Sequence, residues 1–134
     1  MPSLQDISPV EYLFISKSTE EHQKIQGVFF DKKTHMETRR LEIGDNEKQH
    51  ATDCVHCLSS SGDILYVALN KRTKASEPHT AEIHAFDLTS NLEIGYVCKE
   101  ATTCRFISQV TEKYVIAFML KYALVLEKTS LDPL

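Results

Sequence analysis

The sequence predicts an all-β protein built from short antiparallel strands, and three observations lead there. Apolar runs of strand length recur along all 134 residues. Polar clusters rich in Ser, Asp, Asn and Gly separate them, at the turn spacing of about 8–12 residues expected of sandwiches, barrels and propellers. Similar segments also return after about fifty residues, the spacing of a β-repeat array.

The elements follow in order. Glu-Tyr-Leu-Phe-Ile-Ser-Lys at 11–17 is an apolar run of strand length. Ile-Gln-Gly-Val-Phe-Phe at 25–30 is a second, closed by the polar turn Asp31-Lys32-Lys33-Thr34. Residues 36–43 alternate loosely and stop at Gly44-Asp45-Asn46. Residues 53–58 and 64–69 flank Ser59-Ser60-Ser61-Gly62-Asp63, whose composition is that of a tight turn, so the pair reads as a hairpin. Residues 71–80 are polar, contain Pro78 and read as an exposed loop. Strands are expected at 81–88, 92–98, 102–108, 114–119 and 122–127. The Met, Leu, Ala and Lys content of 112–128 would also suit a helix, but the Tyr-Val-Ile-Ala-Phe start favours strand.

The repeat aligns Tyr12-Leu13-Phe14-Ile15-Ser16 with Leu65-Tyr66-Val67-Ala68-Leu69 and Tyr114-Val115-Ile116-Ala117-Phe118. Phe30-Asp31 matches Phe86-Asp87, and Leu-Glu-Ile-Gly occurs at 41–44 and again at 92–95, which requires an insertion near 34–40. The middle copy divides into four strands: 53–58, 64–69, 81–88 and 92–98. His50, the Ser59-Ser60-Ser61-Gly62 turn and Ile83-His84-Ala85-Phe86-Asp87-Leu88 occupy the places of a WD-repeat's Gly-His, turn and closing motif, with Gln49 in place of Gly and Phe86 in place of Trp. On these motifs the chain resembles a WD-repeat. The resemblance implies a partial WD-repeat-like β-propeller of about two and a half antiparallel four-stranded blades. Blade 1 would be partial over 10–44, blade 2 would span 50–98 and blade 3 would be partial over 101–128, as one propeller fragment over 1–134. A chain that opens on a second strand and stops on a third reads as a cut propeller, whose terminal faces need a cover. The alternative is a small closed β-barrel that binds a ligand in its interior.

Composition narrows the function. Fifteen Lys and Arg against 19 Asp and Glu leave a net charge of −4, unlike the clustered basic surface of a stand-alone nucleic-acid binder. The first residues lack the basic and apolar regions of a signal peptide. The apolar stretch at 114–126 is shorter than the roughly 20 residues of a spanning helix, so no membrane association is expected. Four cysteines in such a chain are expected as reduced thiols, in the nucleus or the cytoplasm.

Candidate sites are few. Cys54-Val55-His56-Cys57 has a CxxC spacing, but on a strand residues three apart point to opposite faces, so the two sulfurs diverge. Cys98 and Cys104 are loosely spaced, and all four read as small buried hydrophobes. His22, His35, His50, His56, His79 and His84 are scattered. His56 and His84 read as packed or edge strand residues, and His50 as bonded within its own blade. Ser59–Ser61 lack a nucleophile-elbow context, and the isolated glycines form no phosphate loop. Asp31 and Asp87 read as turn residues. No catalytic, metal or cofactor site is expected, and the chain is expected not to be an enzyme. The densest basic cluster, Lys71, Arg72 and Lys74, lies in the expected 71–80 loop and is the candidate contact to RNA or an acidic partner. Lys32, Lys33, Arg39 and Arg40 form a looser basic region.

Ser61-Gly62-Asp63 through Phe86-Asp87, Thr103-Cys104-Arg105-Phe106-Ile107 and Val115-Ile116-Ala117 resemble the N-terminal blades of the non-catalytic WD-repeat subunit of tRNA guanine-N7 methyltransferase. After the last of these, Phe118-Met119-Leu120-Lys121 stands where that family has an Asp-Lys and a Gly-Asp pair. The resemblance implies an interaction scaffold that supports a catalytic methyltransferase subunit and meets tRNA only through the complex.

Overall fold

A computed structural model describes residues 4–17, 24–45 and 50–134; His22 and the side chain of His50 lie outside the described residues. It contains eleven strands in three open antiparallel sheets and, among the described residues, no helix. Sheet 1 comprises β1 (Leu4–Asp6), β2 (Glu11–Lys17), β3 (Lys24–Asp31) and β4 (Glu37–Asp45). Sheet 2 comprises β5 (His50–Leu58), β6 (Ile64–Arg72), β7 (Thr80–Asp87) and β8 (Leu92–Lys99). Sheet 3 comprises β9 (Cys104–Gln109), β10 (Tyr114–Met119) and β11 (Ala123–Glu127). In each sheet neighbouring strands follow one another in the chain. Sheet 1 forms one compact unit, Met1–Lys48, and sheets 2 and 3 form a second, Gln49–Leu134.

The all-β expectation holds, and the helical alternative at 112–128 resolves into the β10–β11 hairpin. None of the three sheets closes on itself, so the closed-barrel alternative falls. One strand has no counterpart in the sequence reading. β1 is three residues, Leu4-Gln5-Asp6, and exists because β2 offers it a ladder opposite Tyr12, Leu13 and Phe14.

The repeat is real, but its phase differs from the sequence alignment. Each sheet ends a hairpin on the same pair: Glu11 opposite Asp31, Ile64 opposite Asp87, Tyr114 opposite Glu127. An identical turn follows each acid. The fourth residue on donates its N–H to the acid's carbonyl, at 2.8 Å from His35, 2.7 Å from Asn91 and 3.0 Å from Leu131. Those three residues share a left-handed backbone, with φ of 61°, 59° and 60°. The acid's own carboxylate accepts from the intervening N–H groups: Lys33 and Thr34, Thr89, and Thr129 and Ser130 respectively. Such side-chain-to-backbone bonds are why Asp favours this position.

This turn corrects two alignments. Tyr12 and Leu65 are equivalent, as aligned, but their counterpart in sheet 3 is Val115 rather than Tyr114. A one-residue slip moves every side chain to the other face. Glu37 faces Phe30 as Glu93 faces Phe86, so the two Leu-Glu-Ile-Gly tetrapeptides are not equivalent. No insertion at 34–40 is needed.

Sheets 2 and 3 pack face to face. Ile64, Tyr66 and Ala68 of β6 and Ala81, Ile83 and Ala85 of β7 meet Cys104, Ile107, Val115, Ala117, Met119 and Leu126 of sheet 3 in one core cluster. Polar ties fix the alignment of this packing. Asn70, fully buried, accepts the Cys104 N–H at 2.8 Å and donates to the Cys104 carbonyl at 2.9 Å. The Tyr66 hydroxyl donates to the Lys128 carbonyl at 2.7 Å, and Ser60 N–H to the Gln109 side chain at 2.8 Å. In sheet 1, Leu13, Ile15, Ile25, Phe29, Leu41 and Ile43 are buried, as is Val28 opposite Phe14, while Tyr12, Phe14 and Phe30 are half-buried.

Three substitutions read out the packing within the two units. Asn70→Ala strands a buried amide and carbonyl at Cys104 and is expected to cost about 2–4 kcal/mol in a urea melt. At Gly95 a Cβ would lie 2.1 Å from the Thr129 carbonyl oxygen and 2.8 Å from the Ser130 carbonyl carbon, both main-chain atoms that cannot yield. Gly95→Ala is therefore expected to destabilise by about 1–3 kcal/mol or more. Gly27→Ala, whose Cβ would meet the tip of Leu13 at 3.1 Å, is expected to cost less in the same melt.

Candidate interaction surface

The outward face of sheet 3 is built by strict alternation. Val115, Ala117 and Met119 of β10 point into the core cluster, so Tyr114, Ile116 and Phe118 point away from it. On β11 Leu124 and Leu126 pack inward and Ala123 and Val125 outward. Phe106 of β9 joins this outward face by stacking on Phe118, ring centroids 4.4 Å apart. Phe106 is 53% exposed, and Ser108, opposite Ile116, is the polar member of the face. Contiguous apolar surface of this kind marks interaction sites.

Position by position this face matches the one that sheet 2 buries. Through the shared turn, Tyr114, Ile116 and Phe118 are the counterparts of Ile64, Tyr66 and Ala68, and Val125 and Ala123 those of Ala85 and Ile83. All five counterparts belong to the core cluster between sheets 2 and 3. Sheet 3 thus presents, uncovered, the type of face by which sheet 2 holds its neighbour. The signal in the sequence was the unbroken apolar run at 114–119, which fits a strand buried on both faces.

The residues singled out for charge are placed differently. Lys71 and Arg72 belong to β6 rather than to a loop, because Ala51 and His50 of β5 extend the ladder opposite them. Lys71 is 5% exposed, with its Nζ 3.2 Å from Glu82. Arg72 folds over to the Ala75 carbonyl at 3.3 Å. Lys74 is exposed in the 73–79 loop. Lys32 pairs with Asp6, Arg39 with Glu11 and Arg40 with Glu37.

Lys71 belongs to a polar row that is buried at Lys71 and His84 and reaches solvent at Glu93. Glu82 is shared by Lys71 and by Nε2 of His84 at 3.3 Å, while Nδ1 of His84 meets Glu93 at 2.5 Å. The His84 ring stacks on Phe86 and leans on Tyr96, centroids 5.9 and 5.0 Å away. The His84 hydrogen bond, aided by Lys71, holds the Glu82 carboxyl below its ordinary range against the opposing effect of burial. The row ties β6, β7 and β8 together side by side, which makes His84 the packed strand residue its position suggests.

A cavity of about 430 Å³ lies between the 59–63 and 110–113 turns and the end of β11, bordered by Ser60, Ser61, Gln109, Lys113, Glu127 and Lys128. Its lining joins no hydroxyl to a histidine base. Glu127 is spent on Thr129 and Ser130, whose backbone and hydroxyl groups donate to Oε2. Of the four cysteines only Cys104 is the buried residue expected; Cys54 and Cys57 are half-buried and Cys98 is exposed. Cys57 packs against the core cluster that contains Cys104, and burial pushes both thiols up to about 11. Burial lowers the pKa of His56. Among the described residues no three His, Cys, Asp or Glu side chains gather as metal donors.

Comparison with protein-family models, with curated proteins and with solved structures gives no match.

The Glu127 turn has a pH signature. Hydrogen bonds from the Thr129 and Ser130 hydroxyls and amides hold its carboxyl near 2, down from 4.5. A depressed carboxyl contributes stability above its unfolded pKa and loses it as the folded pKa is approached. Glu127→Gln is therefore expected to lower the thermal midpoint at pH 7. The gap to the wild type should narrow as the pH falls from 4.5 towards 2.

Proposed function

We propose that this chain is a non-catalytic interaction module, a partial WD-repeat-like propeller whose blades hold partner proteins by their faces. The observation that carries the reading is the outward face of sheet 3. It repeats the apolar pattern that sheet 2 buries, on a sheet with the same strand order and closing turn. A face of that composition is stable in water only when covered.

The sequence resemblance names a partner class. Residues 61–87, 103–107 and 115–117 resemble the non-catalytic subunit of tRNA guanine-N7 methyltransferase. The proposed partner is accordingly a catalytic methyltransferase subunit. Contact with tRNA comes through that complex, in keeping with a net charge of −4 and with the pairing of Lys32, Arg39, Arg40 and Lys71 to carboxylates. A nuclear or cytoplasmic site of action suits such a role.

Co-expression with a tagged catalytic subunit tests the reading. Stoichiometric co-purification is expected, weakened by Phe118→Glu and unaffected by Lys74→Ala. Failure of the two chains to co-purify would exclude this partner.

A further inference from the structure

The face left open on sheet 3 needs a cover of particular chemistry. Within the second unit, Ile64, Tyr66, Ala68, Ile83 and Ala85 are met by the inward face of sheet 3, made of apolar side chains of β9, β10 and β11 among which Val115, Ala117, Leu124 and Leu126 stand on the hairpin. The cover for Tyr114, Ile116, Phe118, Val125 and Phe106 is therefore another antiparallel sheet presenting the same set of positions.

The chain itself carries one such face. In sheet 1 the residues equivalent to Val115, Ala117, Leu124 and Leu126 are Tyr12, Phe14, Val28 and Phe30. Every one of the four is apolar. Tyr12, Phe14 and Phe30 remain partly exposed. Lys32 lies over the Tyr12 ring, 5.1 Å from its centroid, and is neutralised by Asp6, so no unpaired charge opposes burial at that edge. On the sheet 3 side the stacked Phe106 and Phe118 rings form a rigid, exposed anchor, the kind of aromatic contact that dominates interface energetics.

We infer that the outward face of sheet 3 docks onto the Tyr12–Phe14–Phe30 face of sheet 1 in a second copy of the chain. The argument extends an interface the protein already uses, between sheets 2 and 3, to the next position in the series. The contact is head-to-tail: each copy contributes one face of each kind, and the two faces differ. It goes beyond the proposed methyltransferase association and names a second occupant of the same sheet 3 face, a copy of this chain, which would compete with the catalytic subunit for it.

Two substitutions placed on opposite faces test it. Phe106→Glu puts a charge on the sheet 3 face at a position already half in solvent, and Phe14→Glu does the same on the sheet 1 face. Sedimentation velocity of the chain alone is the readout, over a hundredfold range of concentration. The wild type is expected to associate as concentration rises. Each variant alone is expected to stay monomeric, with association weakened roughly a hundredfold or more by the buried carboxylate. An equimolar mixture of the two is expected to form a dimer and nothing larger. One intact face of each kind remains in that mixture, and the dimer would show that both variants are folded. A wild type that is monomeric throughout, a single variant that still associates, or a mixture that stays monomeric would each overturn the inference. Because Phe106 and Phe118 stack on the face that the methyltransferase reading also uses, co-purification is scored on the wild type alone: a wild type that stays monomeric yet co-purifies with the catalytic subunit overturns only the self-association, and one that associates yet fails to co-purify overturns only the methyltransferase reading.

Discussion

The packing of sheet 2 on sheet 3 depends on one buried amide. Asn70 ends the row Ile64, Tyr66, Ala68 on β6, where an apolar side chain would continue the pattern. Instead its carboxamide holds both main-chain groups of Cys104. Apolar faces slide against each other at little cost, because the hydrophobic effect has no direction. A two-point hydrogen bond does have direction, and in a dry interface its loss leaves two groups with no substitute partner. Asn70 thereby sets where β9 begins, and through β9 the position of β10 and β11. The same amide reaches Asp53 on β5 at 3.2 Å, so one side chain ties β5, β6 and β9 together where sheets 2 and 3 meet.

The repeated turn is the second organising element. It joins an acid, two or three polar residues and a left-handed residue, and reappears with different side chains each time: Asp-Lys-Lys-Thr-His, Asp-Leu-Thr-Ser-Asn and Glu-Lys-Thr-Ser-Leu. Leu is a costly choice for a left-handed backbone. Leu131 is fully buried in the core cluster, and that burial offsets the strain.

Much of this architecture was legible because apolar runs and polar turns alternate on a short scale. Ten of the strands coincide with such runs. β1 was not, since Leu-Gln-Asp has no strand character and borrows its conformation from β2. The phase of the third copy was hidden for the opposite reason. Tyr-Val-Ile-Ala-Phe-Met is apolar on both faces, so alternation offers no marker, and only the Tyr114–Glu127 pairing fixes it. The same lack of contrast concealed the outward face of sheet 3. Lys71 looked like a loop cation because polar residues follow it; its burial depends on Glu82, eleven positions away in the chain and reached only across the ladder.

After the third turn the chain starts back along β11. Leu126 faces Pro133, and the flanking bonds run from Glu127 N–H to the Asp132 carbonyl and from Leu134 N–H to the Val125 carbonyl. In that register the main chain of Pro133 is directed away from the sheet, and proline has no N–H to offer there. At Pro133 the margin of sheet 3 therefore offers a further strand a carbonyl but no N–H. Exposed strand margins are templates for uncontrolled growth into fibres. Pro133 acts as a guard at that margin, steering contacts towards side chains, which can discriminate between partners, and away from the main chain, which cannot.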